Sequence, residues 1–150
     1  MKLYSTQHES PDVSLEEAIF RGLPPDNGLY MPQEIKPMPA AFFDTIHTLT
    51  LPQIAMAICK HLLGDELTDS EIEGIIERSM TFEAPVVDLE PNVGVLELFH
   101  GPSMAFKDFG ARFMAAIMSH YLVKSAREIR ILVATSGDTG GAVAQGFFNT

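Results

Sequence analysis

The chain has a single cysteine, no tryptophan and half as many cations as carboxylates, and the first and last of these scarcities bound what it can do. Cys59 cannot form an internal disulfide. Its setting in Ile54-Ala55-Met56-Ala57-Ile58 marks it as a core residue of a protein kept in a reducing compartment. Ten Lys/Arg against twenty Asp/Glu give a net charge of -10, which excludes the broad basic surface of a nucleic-acid binder. Long apolar runs are missing too: no window approaches the roughly 20 residues needed to cross a bilayer. The start Met1-Lys2-Leu3-Tyr4-Ser5-Thr6 is polar within a few residues and has no apolar signal region. A cytoplasmic protein with neither membrane nor nucleic-acid partners is expected. His8, His47, His61 and His120 have no metal-ligand spacing, so no metal site is expected.

What is present is enough apolar content for a sizeable core, 46% of 150 residues, without repeats or low-complexity segments. The pattern is α/β in class and changes character near residue 85. Before it, a short opening strand leads to Ser14-Leu15-Glu16-Glu17, whose capping-box spacing starts a helix that Gly22 can close. Further helices are predicted over 40–47, over 51–63 ending at Gly64, and over 70–80 behind Thr68-Asp69-Ser70-Glu71. Residues 1–84 thus form a mostly helical unit. After it, a strand over 93–99, a helix over 105–124, a strand over 129–134 and a helix from 139 alternate. Such alternation implies right-handed crossovers and a parallel sheet, with ligands beyond the carboxyl ends of the strands. Two strands leave open edges, so 85–150 reads as the front portion of a larger α/β domain.

Two dense segments sit at those strand ends. In His100-Gly101-Pro102-Ser103-Met104-Ala105-Phe106-Lys107-Asp108-Phe109-Gly110, one lysine stands at a helix start among apolar residues. Desolvation and the positive helix end both disfavour its charge, as a Schiff-base lysine requires. Lys107 shares its helix face with Gly110 and Ala111, while Phe106, Phe109, Phe113 and Ile117 form a separate apolar stripe. That face is almost bare backbone, suited to a flat ring lying close. Asp108 and Arg112, four apart, are expected to pair along the helix. His100 has two readings, a contact to a ligand phosphate or a simple closure of the strand.

The second segment is Ala134-Thr135-Ser136-Gly137-Asp138-Thr139-Gly140-Gly141. Asp138-Thr139-Gly140 copies the aspartic-protease triplet, but hydroxyl residues precede it and a helix-like run follows, so that reading is discarded. The glycines lack the G-x-G-x-x-G spacing of a dinucleotide turn. An anion cradle remains: the hydroxyls of Thr135, Ser136 and Thr139 and bare amides at a helix start suit a carboxylate or phosphate. The charge agrees in sign, since residues 101–150 hold five Lys/Arg against three carboxylates, whereas residues 1–100 hold five against seventeen.

Together, 99–110 and 134–140 resemble the motifs of the threonine synthase family, pyridoxal-phosphate enzymes of the tryptophan-synthase β-like fold (fold type II). Val13-Ser14-Leu15-Glu16-Glu17-Ala18 and Gly28-Leu29-Tyr30-Met31-Pro32 resemble that family's amino-terminal segment. The resemblance implies that Lys107 forms the cofactor aldimine and shuttles protons, converting O-phospho-L-homoserine and water to L-threonine and phosphate. It implies a contact of Thr135, Ser136 and Thr139 with the substrate carboxylate and of Asp138 with the cofactor ring, and it makes Ser103 the candidate for the substrate phosphate. A glycine-rich loop for the cofactor phosphate and a partner for the pyridine nitrogen are also implied, and neither precedes Thr150. Two other readings stay open: a non-catalytic anion- or cofactor-binding fragment, and a related lyase such as threonine dehydratase. A threonine synthase fragment of this length is expected to be inactive alone.

Overall fold

The computed structural model describes residues 1–125 and 128–148. The chain opens with β1 (Lys2–Ser5), the middle strand of a small antiparallel sheet with β2 (Val13–Ser14) on one edge and β3 (Tyr30–Pro32) on the other. Leu3 sits opposite Val13 on one side and Pro32 on the other, which turns one apolar face inward. Ser14 ends its strand by capping α1 (Leu15–Arg21): its hydroxyl accepts the Glu17 amide at 3.1 Å. Gly22 closes the helix at φ +76°, a conformation that favours glycine.

The helices that follow obey their local signals. The expected helix over 40–47 is α2 (Ala40–Thr45), continued by one 3₁₀ turn over Ile46–Thr48. Thr50 and Gln53 form a capping box for α3 (Leu51–Leu63). Thr68 and Glu71 do the same for α4 (Asp69–Ser79), one residue earlier than the sequence suggested. On α4, Ile72, Ile75 and Ile76 recur at helical spacing and are each at most 3% exposed. Burying each such side chain contributes about 1.5–3 kcal/mol.

Their partners lie on both sides of residue 85. The core joins Leu3, Val13, Leu15, Ala18 and Leu67 to Ala116 and Ile117 of α5 (Lys107–Val123), the long helix of the second part. Cys59 is half-buried against this cluster. Glu71 clasps the two parts together, accepting from the Thr68 amide at 2.8 Å and from Lys124 Nζ at 2.6 Å. The Lys124 bond leads the bonds that hold the Glu71 carboxyl down to about 2.

The second part departs from the expected alternation. The strand expected over 93–99 is shorter, β5 (Val93–Leu96), and pairs antiparallel with β4 (Val86–Glu90), Val86 opposite Leu96. The strand expected over 129–134 forms no ladder among the described residues, and Leu132 is 92% exposed. Its apolar, β-branched run has strand propensity, but a strand exists only with hydrogen-bonded neighbours, and none of the described strands lies beside it. The final helix is α6 (Asp138–Gly146), and its expected continuation to Thr150 falls partly outside the described residues. It packs closely on α5: a methyl at Gly146 would stand 3.1 Å from the Ala111 carbonyl. The architecture is mixed α/β. Among the described residues, no helix is long and apolar enough to cross a membrane.

Candidate functional site

The site is built from the loop that leaves β5 and the first turn of α5. Met104 takes φ +55°, and its amide donates to the Gly101 carbonyl at 3.0 Å, which folds the loop back on itself. Behind the fold lies Asp108, fully buried, with its two oxygens on one residue: Oδ2 accepts the Ser103 amide at 2.9 Å and Oδ1 accepts the Ser103 hydroxyl at 2.6 Å. Gly101 presses on the same carboxyl group, since a methyl there would lie 2.9 Å from Asp108 Cγ. The expected Asp108–Arg112 ion pair is therefore not formed. Helical side chains lean toward the N-terminus, so Asp108 meets the preceding loop. Arg112 instead donates Nε to the Ser79 carbonyl at 3.3 Å and Nη2 to the Arg78 carbonyl at 3.0 Å, closing the C-terminal end of α4.

Lys107 is half-buried, with Nζ 4.4 Å from the centroid of the Phe106 ring. It opens onto a groove of about 590 Å³ lined by Leu98, Phe106, Phe109, Gly110, Thr139 and Val143 among others. The bare face expected beside the lysine is present: a methyl at Gly110 would meet nothing within 4 Å. The aromatic stripe divides. Ile117 and Phe113 belong to the core, Phe109 packs on Phe82 with centroids 4.7 Å apart, and Phe106 is 60% exposed beside the lysine.

The second segment arrives at the same place. Gly137, at φ +137°, turns the chain into α6. Thr135 Oγ1 accepts the amides of Gly137 at 3.1 Å and Gly140 at 3.0 Å, satisfying two of the donors at the helix start. A methyl on Gly140 would lie 2.9 Å from that hydroxyl oxygen, so the glycine admits the contact. The amides of Asp138 and Thr139 make no hydrogen bond among the described residues. Thr139 lines the lysine groove, and a methyl on Gly141 would stand 4.0 Å from Ser103 Cβ. The structure thus brings Lys107 and Thr139 into one groove, with Ser103 beside Gly141 of the same helix and Thr135 tied to the helix start. Ser136 and Asp138 are exposed and make no side-chain hydrogen bond among the described residues.

Sequence reasoning missed the buried role of Asp108 and the pairing of His100 Nε2 with Glu97 Oε2 at 2.6 Å. Glycine two residues before Ser103, and an aspartate in the first helical turn, are the signals for the former. Nothing local marks the latter except the three-residue spacing.

A family model described as "Threonine synthase N terminus" matches residues 2–80. The threonine synthase of Escherichia coli is 38% identical over 148 residues, covering 99% of this chain and 34% of that protein. That of Haemophilus influenzae is also 38% identical with the same coverage, and that of Schizosaccharomyces pombe is 32% identical over 156 residues, covering 95% of the chain and 30% of the relative. Among solved structures, the crystal structure of the Escherichia coli enzyme superposes with a TM-score of 0.89 at 38% identity, over 99% of this chain and 34% of that one. A PLP-bound threonine synthase from Brucella melitensis gives 0.85 at 36% identity, over 98% and 33%. The chain spans about a third of the length of the relatives it matches. With 79 of its residues, 2–80, under the amino-terminal model and nearly its whole length aligned, the chain belongs to the threonine synthase family.

Proposed function

We propose that this chain is the amino-terminal part of a pyridoxal-phosphate-dependent threonine synthase, a lyase of threonine biosynthesis that converts O-phospho-L-homoserine and water to L-threonine and phosphate in the cytoplasm. The observation that carries this reading is one groove lined by both motifs, with Lys107 on α5 and Thr139 on α6. The groove suits the cofactor: one amine stands among apolar side chains, and open space over Gly110 leaves room for a flat ring. Pyridoxal phosphate, when bound, supplies an electron sink for charge developing next to the substrate's amine-bearing carbon.

Lys107 would hold the cofactor and move protons at the substrate's α-, β- and γ-carbons. A proton leaves the β-carbon and the γ-carbon–oxygen bond to phosphate breaks. Water then adds its oxygen at the β-carbon, and of the two protons released, from the β-carbon and from water, one goes to the γ-carbon and one to the departing phosphate. The free amides of Asp138 and Thr139, with the hydroxyls of Thr139 and Ser136, would orient the substrate carboxylate at the positive end of α6. Thr135, already holding the Gly137 and Gly140 amides, would keep that turn in shape. Ser103 would stand nearest the substrate phosphate, and Asp138 would lie near the cofactor ring. Residues 1–84 would form a helical unit against the front of a cofactor-binding domain starting at 85, whose parallel, fold-type-II sheet includes 129–134.

The test is to supply the whole protein with pyridoxal phosphate and O-phospho-L-homoserine. Equal amounts of threonine and inorganic phosphate are expected. A keto acid and ammonia would make it a dehydratase, and no turnover of this substrate would refute the assignment.

A further inference from the structure

We propose that Asp108 is a positioning residue: its buried carboxylate fixes Ser103, and through it the loop 101–106, against the first turn of α6, giving the lysine groove a single shape. The inference rests on the reading of that groove as the reaction site.

The geometry is specific in three ways. Both donors of Ser103, the amide and the hydroxyl, end on the two different oxygens of the one carboxylate. No cation pairs with Asp108 among the described residues, although the group is 0% exposed. A buried carboxylate without a cation is a costly way to fill a core, so stability alone gives little reason for one here. Finally, Gly101 closes on the carboxyl, and Ser103, which the carboxyl holds, lies beside Gly141 of α6. Asp108 follows Lys107 directly, so a displaced carboxylate moves both the loop and the start of the lysine's helix.

Three variants of the whole protein test this: Asp108→Asn, Ser103→Ala and the pair combined. Asparagine keeps the shape but sets an N–H donor where one carboxylate oxygen received a donor. The expected loss in kcat/KM for Asp108→Asn is about tenfold to a hundredfold, the range for hydrogen bonds to a charged group. Ser103→Ala should cost less in kcat, and the double variant should lose no more kcat than Asp108→Asn alone, because both break the Ser103 hydroxyl–Asp108 bond, while a contact of Ser103 with the substrate phosphate is read in KM. The loss should lie in kcat, with a borohydride-fixed pyridoxyl label still formed at Lys107. Hydrogen exchange should quicken at the amides of Gly101 and of 103–106 in Asp108→Asn and stay unchanged over 115–118.

Losses that multiply, unchanged exchange in the loop, or wild-type kcat/KM in Asp108→Asn would overturn the proposal. Faster exchange over 115–118 as well would make Asp108 an ordinary core residue and overturn it too. If the unsubstituted protein makes no threonine, the functional assignment fails, and the exchange comparison still decides the role of Asp108.

Discussion

Replacing Gly110 by alanine separates what the fold wants from what the groove needs. Glycine inside a helix costs about 0.5–1 kcal/mol relative to alanine, because it loses more backbone freedom on folding. A methyl at this position would meet nothing within 4 Å, so no clash offsets that gain. Cofactor-free Gly110→Ala protein should therefore unfold at higher denaturant concentration, by about 0.5–1 kcal/mol. The same methyl stands in the wall of the groove that holds Lys107 and Thr139. If a flat ring lies against that wall, the methyl overpacks it at about 1–3 kcal/mol, which lowers pyridoxal phosphate affinity roughly five- to 150-fold. Urea unfolding without cofactor and absorbance titration with it read the two effects separately. Loss of stability without cofactor would show that the space is not open. Unchanged affinity alongside a stabilised fold would refute the seating of the ring over Gly110.

Gly101→Ala should act in the opposite sense. Its methyl would stand 2.7 Å from Asp108 Cβ and 2.9 Å from Cγ, so the loop or the buried carboxyl has to move, and a loss of about 1–3 kcal/mol in urea unfolding is expected. Acid should weaken the join between the two parts. Glu71 is held at about 2 from an ordinary 4.5 by the bond from Lys124 and those from Thr68, against burial. Asp26 is at about 2 from 3.8, where bonds from Ser5, the Gly28 amide, Ser10 and the Glu9 amide outweigh the burial that pushes it up. Both folded values lie below the unfolded ones, so their contribution is complete above about pH 4.5 and disappears as pH falls toward 2. Unfolding midpoints measured across that window should fall, less steeply in Glu71→Gln; an identical profile for that variant would contradict the clasp. Asp138→Asn should alter the absorption of the bound cofactor and lower activity, and wild-type spectra and rates would remove Asp138 from the ring's surroundings.

The sequence made some elements plain and hid others for physical reasons. Asp69–Ser79 was legible because its cap, Thr68 with Glu71, acts within three residues, and Leu51–Leu63 because its apolar run stops at Gly64. The pairing of Val86–Glu90 with Val93–Leu96 was not, because register is a tertiary property: the same apolar run can serve a parallel or an antiparallel neighbour. For the site, the glycines and the lysine announced a bare face, which the open space over Gly110 matches. The meeting of Ser103 with the start of α6 needed the close contact of α5 and α6 at Gly146, which no local spacing encodes. Asp108 was misread because an i, i+4 partner was available in Arg112. The competing Ser103 contacts lie five residues back, outside the helix, and satisfy both carboxylate oxygens.

The central claim is that Lys107 is the residue that engages the cofactor. Incubating the whole protein with pyridoxal phosphate, reducing with borohydride and mapping peptides by mass spectrometry tests it most directly. A pyridoxyl adduct on Lys107, lost in Lys107→Ala, is the predicted result. An adduct spread over exposed lysines such as Lys2 and Lys36, or none at Lys107, would contradict the account.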